Sequence, residues 1–506
     1  MPYRNPVIPG FHPDPSVCRV GRDYYLATSS FEYFPGVPLF HSRDLVNWRQ
    51  MGHCLTRPEQ LPLEGVWSSG GVFAPTLRHH DGRFYMVTTI VGGPGHLYVH
   101  TDDPAGEWSD PVWVEGDGFD PDLFWDEDGT CYFTRRVGGE GIWQWKMDIE
   151  TGKLLDDGRQ VWPGMEDIYA EAPHVYLING AYYLMVAEGG THRGHMVVFA
   201  RAQRPEGPYE GCPHNPVLTH RGRVHLPIQA TGHADLVQAH DGSWWLVLLG
   251  IRQVGWGHHH LGRETFLAPV SWDADGWPVV NGAKPIAVEM EGDCLPPHPW
   301  PEPPVRDEFD RPELRPCWNF RRGPHAGDWS LQDRPGHLRL WGTEVTLNEE
   351  DMRSPTFVGR RQEHFGCRAE TLLEFAPERD GEEAGLTAFM DEAHHYEVAV
   401  TRRDGRRCVI VRRRIGDLQA VVAEEPIGDG PVRLQIRAEP KLYHFGCAVG
   451  GGPVQELATG STRYLSSEVA GGFTGVYFGL YATGVGSRCR APADFAWFDY
   501  EPAADY

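Results

Sequence analysis

The strongest constraint on how this chain can fold is a fivefold repeat in its N-terminal half. Each copy joins a strand-like run, a tight polar turn and a second, aromatic-led run. The copies read DPSVCRVGRDYYLATSS from Asp14, APTLRHHDGRFYMVTTI from Ala74, DPDLFWDEDGTCYFTRRV from Asp120, APHVYLINGAYYLMVAEGG from Ala172 and HADLVQAHDGSWWLVLLG from His233. Short β-branched and aromatic runs bounded by Gly, Asp, Asn and Pro read as strands. Asp81-Gly82, Asp128-Gly129, Asn179-Gly180 and Asp241-Gly242 favour two-residue hairpin turns, which need positive φ; the first copy has Gly21-Arg22-Asp23 instead. The copies recur about every 50 to 60 residues, which leaves room for four strands each. Five such units arranged radially make a five-bladed β-propeller.

In that arrangement each copy opens with the innermost strand of its blade, and its first residue faces the central axis. Those residues are Asp14, Ala74, Asp120, Ala172 and His233, with Glu171 just before the fourth. Asp14 lies between Pro13 and Pro15 in GFHPDPSV. Proline fixes its own φ and pushes the preceding residue toward extended geometry, so a carboxylate of fixed direction is expected there. A single acid at a strand head is usually a turn or cap residue. Three acids at equivalent heads are hard to explain by turn chemistry.

Carboxylates sharing one concave site cannot all ionise without cost, so at least one pKa is expected to rise. Such a group can bind a hard cation through oxygen, or hydrolyse a glycosidic bond by acid–base catalysis. Acids on different blades favour the inverting arrangement, with roughly 6.5–9.5 Å between carboxyls. The loops around the strand heads favour sugar over metal. Segments 29–40, 65–73 and 255–266 bring aromatics, and Arg263 offers a fork for hydroxyls or a carboxylate. The His258-His259-His260 run is expected to be a solvated loop, because adjacent residues rarely ligate one ion together. Asp122 is expected to be a polar residue near a strand head and Glu188 to stand behind the acids.

Charge and composition narrow the partners. A formal charge of −24 and a pI near 5.4 argue against nucleic acid, which needs clustered Lys and Arg. No apolar run approaches the roughly 18 residues of a membrane helix, so no membrane partner is expected. Ten cysteines without a CxxC pair, and an N-terminal MPYRNPVIPGFHPD without a signal-like segment, suggest a reduced, cytoplasmic protein.

Several ordered motifs then carry a resemblance. NPVIPGFHPDPSVCRVGRDYYLATSSFEYFPGVPLFHSRDLVNW, FDPDLFWDEDG, YAEAPHVYLINGAYYLMVAEGG, TGHADLV and LGRETFLAPVSWDADGWPVV closely resemble glycoside hydrolase family 43, in its two-domain β-xylosidase-like members. The resemblance spans nearly the whole chain. It implies Asp14 as general base, Glu171 as general acid and Asp120 as the acid that orients and tunes the proton donor. An ionised Asp120 would raise the pKa of Glu171, and Asp14 would sit in a more polar, solvated setting. Phe31, His233 and Arg263 would line the pocket for the terminal sugar. No cofactor is required, although a structural calcium ion in the channel near His233 is an option in such proteins. One departure concerns specificity: relatives with GVWAP have tryptophan where this chain has Phe73 in GVFAP.

The expected architecture is therefore all-β. It comprises a propeller over residues 1–295, a Pro-rich linker over 296–305 and a β-sandwich over 306–506. The sandwich rests on short alternating segments such as CRAETLLEF, HYEVAVT and VRLQIRA. By the resemblance, Phe473 in GGFTGVYFG reaches back into the propeller pocket; packing inside the sandwich is the competing reading. The expected activity is inverting, exo-acting release of xylose from β-1,4-xylo-oligosaccharides. An α-L-arabinofuranosidase or bifunctional enzyme acting on arabinosyl-substituted oligosaccharides is the alternative, and a non-catalytic sugar-binding propeller a more distant one. A homo-oligomer is compatible with the sequence.

Overall fold

The computed structural model describes residues 2–165, 169–255, 257–292, 294–348 and 352–503. Its N-terminal part is a propeller of five antiparallel sheets. The innermost strands are Ser16–Val20, Thr76–His80, Phe119–Trp125, Glu171–Ile178 and Ile228–Gln238, one from each repeated copy. Neighbouring innermost strands touch, and Ser16–Val20 also meets Ile228–Gln238, which closes the ring. An N-terminal strap reinforces the closure. Tyr3–Arg4 pairs with Glu289–Met290, and the Asn5 side chain donates to Leu267 O at 2.9 Å. Each blade is packed by buried apolar residues on both faces, such as Leu246, Val247, Leu248 and Phe266 in the fifth.

Two of the hairpin expectations need correction. Asp81-Gly82 and Asn179-Gly180 form two-residue turns with both residues at positive φ. The loops holding Asp128-Gly129 and Asp241-Gly242 instead run from 126 to 130 and from 239 to 243. There only the glycine is left-handed, and the aspartate carboxylate accepts the backbone N–H two residues on, at 2.9 Å in both loops. An Asx turn thus competes with the tighter geometry.

The C-terminal part is a β-sandwich of two eight-stranded antiparallel sheets, facing each other across Leu373, Leu434, Phe445, Leu386, Val398 and Leu480. One α-helical turn, Ser467–Ala470, is the only α-helix among the described residues. The propeller and sandwich are interlocked. Tyr33–Phe34, from the first blade's loop, forms the edge strand of a sandwich sheet, with Phe320 opposite Phe34 and Arg321 opposite Tyr33. Behind that seam Tyr33 and Tyr477 stack with ring centroids 4.0 Å apart. The sandwich is therefore placed at the mouth of the propeller channel.

Candidate active site

Asp14, Asp120, Ala172 and His233 share an unusual backbone state, with φ of 56°, 54°, 52° and 43°. The third and fourth blades each break ladder register here, between Phe119 and Asp122 and between Glu171 and His174, and the fifth breaks it on both sides of Gly232. Pro15 was expected to hold Asp14 extended; the structure has it left-handed instead. Asp14 precedes the paired strand, which begins at Ser16, and its carboxylate is held by Arg263 and Ser29. Non-glycine residues in this region carry strain of about 1–3 kcal/mol each, a feature that clusters at functional sites.

Asp14 is buried, not solvated as expected, but its surroundings are strongly polar. Arg263 forks onto it, Nη1 to Oδ1 at 3.0 Å and Nη2 to Oδ2 at 3.4 Å. The Ser29 hydroxyl donates to Oδ2, and His233 Nδ1 stands 3.5 Å from Oδ1. Burial pushes the Asp14 pKa up, but Arg263, His233 and Ser29 together outweigh it and hold the carboxyl below its ordinary value. His233 is itself pushed down to about 4 by burial, so it is neutral near pH 7.

Glu171 behaves in the opposite way. Burial pushes its pKa up to about 7, against the Arg136 guanidinium, whose Nη1 donates to Oε2 at 3.1 Å; the Asp14 charge adds to the rise. Asp120 was expected to be the ionised group that raises Glu171. Burial and the neighbouring Glu171 and Asp14 instead push Asp120 well above the ordinary carboxyl range, although Ala172 N donates to its Oδ2 at 3.2 Å. Two acids in one dry site cannot both ionise, so Asp120 and Glu171 hold a proton between them while Asp14 stays charged.

The aromatic wall comes from both parts of the chain. Phe31 lies 5.3 Å from Phe73 and 5.9 Å from Phe473, centroid to centroid. The Arg263 guanidinium stands beside both Phe31 and Phe473, 5.5 and 5.4 Å from their rings. Phe473 is half-buried against this cluster, on the propeller side, and its backbone N–H donates to Ser69 Oγ at 2.8 Å. Such an approach needs glycine: a Cβ on Gly475 would fall 2.5 Å from Leu261 O.

Sequence reasoning missed Arg136, Ser29 and Thr191. Thr191 Oγ1 accepts from Arg263 Nη1 at 3.1 Å. Arg136 is the penultimate residue of the second strand of the third copy, Cys131–Val137, where only its spacing from Asp120 could have marked it. Glu188 lies on the strand paired with that of Glu171 and accepts from Trp162 Nε1 at 3.2 Å and Met165 N at 3.0 Å. The histidine run is not a solvated loop. His259 pairs with Glu468 at 2.8 Å, and His260 is buried against Phe365 and Tyr443, because the sandwich packs over it. Trp256 lies outside the described residues.

The calcium option fares poorly on these residues. A hard cation needs six or more oxygen ligands. His233 faces Asp14, while Asp122 and Asp235, the carboxylates next along the axis, are both occupied by the Arg78 guanidinium. Among the described residues no cluster of three or more His, Cys, Asp or Glu side chains could hold a metal. Asp122 and Asp235 are therefore not free to ligate such an ion.

The chain has known relatives over nearly its whole length. Residues 3–278 match the family model for Glycosyl hydrolases family 43, and residues 306–501 match the Beta xylosidase C-terminal Concanavalin A-like domain. The chain is 47% identical to a non-reducing end alpha-L-arabinofuranosidase of Bacteroides ovatus, over 98% of this chain and 94% of that one. It is 37% identical to a xylosidase/arabinosidase of Butyrivibrio fibrisolvens, over 98% and 99% of the two chains. The crystal structure of a xylan beta-1,4-xylosidase from Bacillus halodurans superposes with a TM-score of 0.92 at 35% identity, covering 99% of this chain and 100% of that one.

Proposed function

The chain belongs to glycosyl hydrolase family 43, and on that premise we propose that it is an inverting exo-glycosidase that releases terminal xylose from β-1,4-xylo-oligosaccharides. The observation that carries this reading is the division among the three acids. Asp14 is held ionised, whereas Glu171 keeps its proton up to about pH 7. Glu171 protonates the leaving oxygen, and Asp14 takes a proton from the water that attacks the anomeric carbon from the opposite face. Asp120, beside Glu171 in the same dry site, tunes and orients that acid. As the C1–O bond breaks, the departing oxygen takes the Glu171 proton and the water oxygen forms the new bond. Asp14 ends protonated and Glu171 ionised.

Phe31, Phe73 and Phe473 offer apolar faces to a terminal sugar ring, and Arg263 steadies Asp14. A sandwich loop at the pocket favours exo action, because it closes the far side against a longer chain. The relative of 47% identity favours a second reading, release of α-L-arabinofuranosyl groups from substituted oligosaccharides. Phe73, smaller than tryptophan, leaves more room beside the sugar for that alternative. A side-by-side rate comparison on aryl β-xyloside and aryl α-L-arabinofuranoside tests the choice. NMR of the first sugar released from a β-xyloside is expected to show the α-anomer; an initial β-anomer would overturn the inverting assignment.

A further inference from the structure

Side chains two residues apart on a strand share one face, so each axial strand head is followed by a second residue pointing at the same axis, one pleat below. Ser16, Asp122, His174 and Asp235 lie two positions beyond Asp14, Asp120, Ala172 and His233, and Arg78 lies four beyond Ala74. These five side chains meet. Arg78 Nη1 donates to Asp235 Oδ2 at 2.7 Å and to Ser16 Oγ at 3.3 Å. Its Nη2 reaches Asp122 Oδ1 and His174 Nδ1, both at 2.8 Å. One guanidinium from the second blade thus binds the first, third, fourth and fifth.

The remaining valences are filled as well. Asp122 Oδ2 accepts from Val175 N at 3.0 Å. Asp235 accepts from Ser16 Oγ, Val17 N, Tyr176 OH and Leu236 N at 2.7, 3.0, 2.5 and 2.9 Å. Asp122 and Asp235 are fully buried, as is His174 within a few per cent. Asp122 is therefore more than a polar residue near a strand head; it is half of a buried ion pair. Arg78 occupies both axial carboxylates of this layer.

We propose that Arg78 is the built-in axial cation of this propeller and a positioning residue for the reaction: by tying four blades together one pleat below Asp14, Asp120 and Glu171, it fixes where those acids stand. The inference rests on the glycosidase reading for its rate predictions. A misplacement of about 1 Å at a reacting group can reduce rate by roughly 100-fold, and this ring ties together the strands that carry the heads. A divalent ion is not needed for that task while the guanidinium is in place.

The test uses the full-length protein, wild type and the variants Arg78→Ala and Arg78→Lys, on an aryl glycoside. Exhaustive chelation is expected to leave the wild-type rate unchanged, with no gain on adding calcium. Arg78→Ala is expected to lose about 100-fold in kcat with KM changed by no more than about 3-fold, and guanidinium chloride at millimolar levels is expected to restore at least about 10-fold. The Asp14→Asn variant, lacking the proposed base, should gain nothing from guanidinium. Calcium dependence of the wild type would overturn the proposal, and so would wild-type kcat in a folded Arg78→Ala protein. If Arg78→Ala does not fold, Arg78→Lys decides. It keeps the charge without the fork, and undiminished kcat there overturns the positioning role. Failure of the glycosidase reading would show separately, as a wild type inactive on every aryl glycoside. Thermal melting then decides: Arg78→Ala should melt below wild type and be raised by guanidinium, and equal melting points would refute the axial role.

Discussion

Two polar rings stack on the propeller axis, built by the same five strands from similar residues, yet they are in opposite states. In the lower ring Asp122 and Asp235 share one guanidinium and take several hydrogen bonds, and burial fails to raise Asp235, whose pKa is driven below the ordinary range by Arg78. In the upper ring three carboxylates face two guanidiniums, Arg263 and Arg136, and the Asp120–Glu171 pair is driven up. Each ring has one carboxylate more than it has guanidiniums, but hydrogen-bond donors fill the lower ring's remaining valences, whereas in the upper ring the donors fall short and burial wins at Asp120 and Glu171. That shortfall is what keeps a proton on an acid near neutral pH, so the chemistry is available only where satisfaction is incomplete.

The comparison is broken most severely by removing the upper ring's proton chemistry. Glu171→Gln and Asp14→Asn are each expected to lower kcat on an unactivated xylo-oligosaccharide by about 100- to 10,000-fold, the usual scale of a general acid or base. The two should part company on an aryl glycoside with a good leaving group, where the acid matters less. There Glu171→Gln should recover much of its rate and Asp14→Asn should not. Equal recovery by both would remove the distinction between acid and base.

Much of the upper ring was legible because the repeat itself marks strand heads. Asp14, Asp120 and His233 open their copies, and Glu171 precedes its own by one residue. Their backbone state was not legible, since the proline after Asp14 and Asp120 argues for extended geometry and only tertiary contacts reverse it. Arg78 was missed for a different reason. In LRHHDG it looks like an ordinary charged residue before a hairpin turn, and because it lies four residues beyond its head, where the other copies place their axial residue at two, alignment of the copies does not mark it. Tyr33–Phe34 carried no strand signal at all, because two residues cannot show a period and their partners Phe320 and Arg321 are far away in sequence. The same distance hid the burial of His260 beneath the sandwich.

Next in size is the lower ring's own contribution to stability. Asp235→Asn removes one partner of a buried, hydrogen-bonded guanidinium, and such a change destabilises by about 3–5 kcal/mol. The pH dependence carries the sign. A carboxyl whose folded pKa is depressed contributes stability above its unfolded pKa, near 3.9, and that contribution is lost as pH falls through the folded value. Chemical denaturation of wild type and Asp235→Asn should therefore differ most at neutral pH and converge in strong acid. A constant difference at all pH values would mean that packing, not charge, holds the ring.

A smaller effect should follow from changing the cation supply of the upper ring. Arg136 lowers the pKa of Glu171 against the rise due to burial. Removing it in Arg136→Met leaves that rise less opposed, so the alkaline limb of kcat/KM, set by Glu171 near pH 7 in wild type, is expected to move to higher pH. Its acid limb, set by Asp14 and Arg263, should stay where it is. A downward shift of the alkaline limb would show that the limb belongs to another group.

The smallest predicted effect has the opposite sign in the two rings. Glu171 has a folded pKa raised from 4.5 to about 7, so its contribution to stability is full below its unfolded pKa and lost as pH rises through about 7. The displacement corresponds to roughly 3 kcal/mol lost at the alkaline end, an upper bound because Asp120 shares the proton. Glu171→Gln escapes that loss while its amide carbonyl can still accept from Arg136. At pH 8 the variant is therefore expected to melt higher than wild type, by about 2 °C or more, and at pH 4 to melt no higher. Asp235→Asn, one pleat below on the neighbouring blade, should melt lower at both. A Glu171→Gln protein less stable than wild type at pH 8 would mean that the upper ring is as fully satisfied as the lower one, and that strain in its acids is not what the catalytic proton depends on.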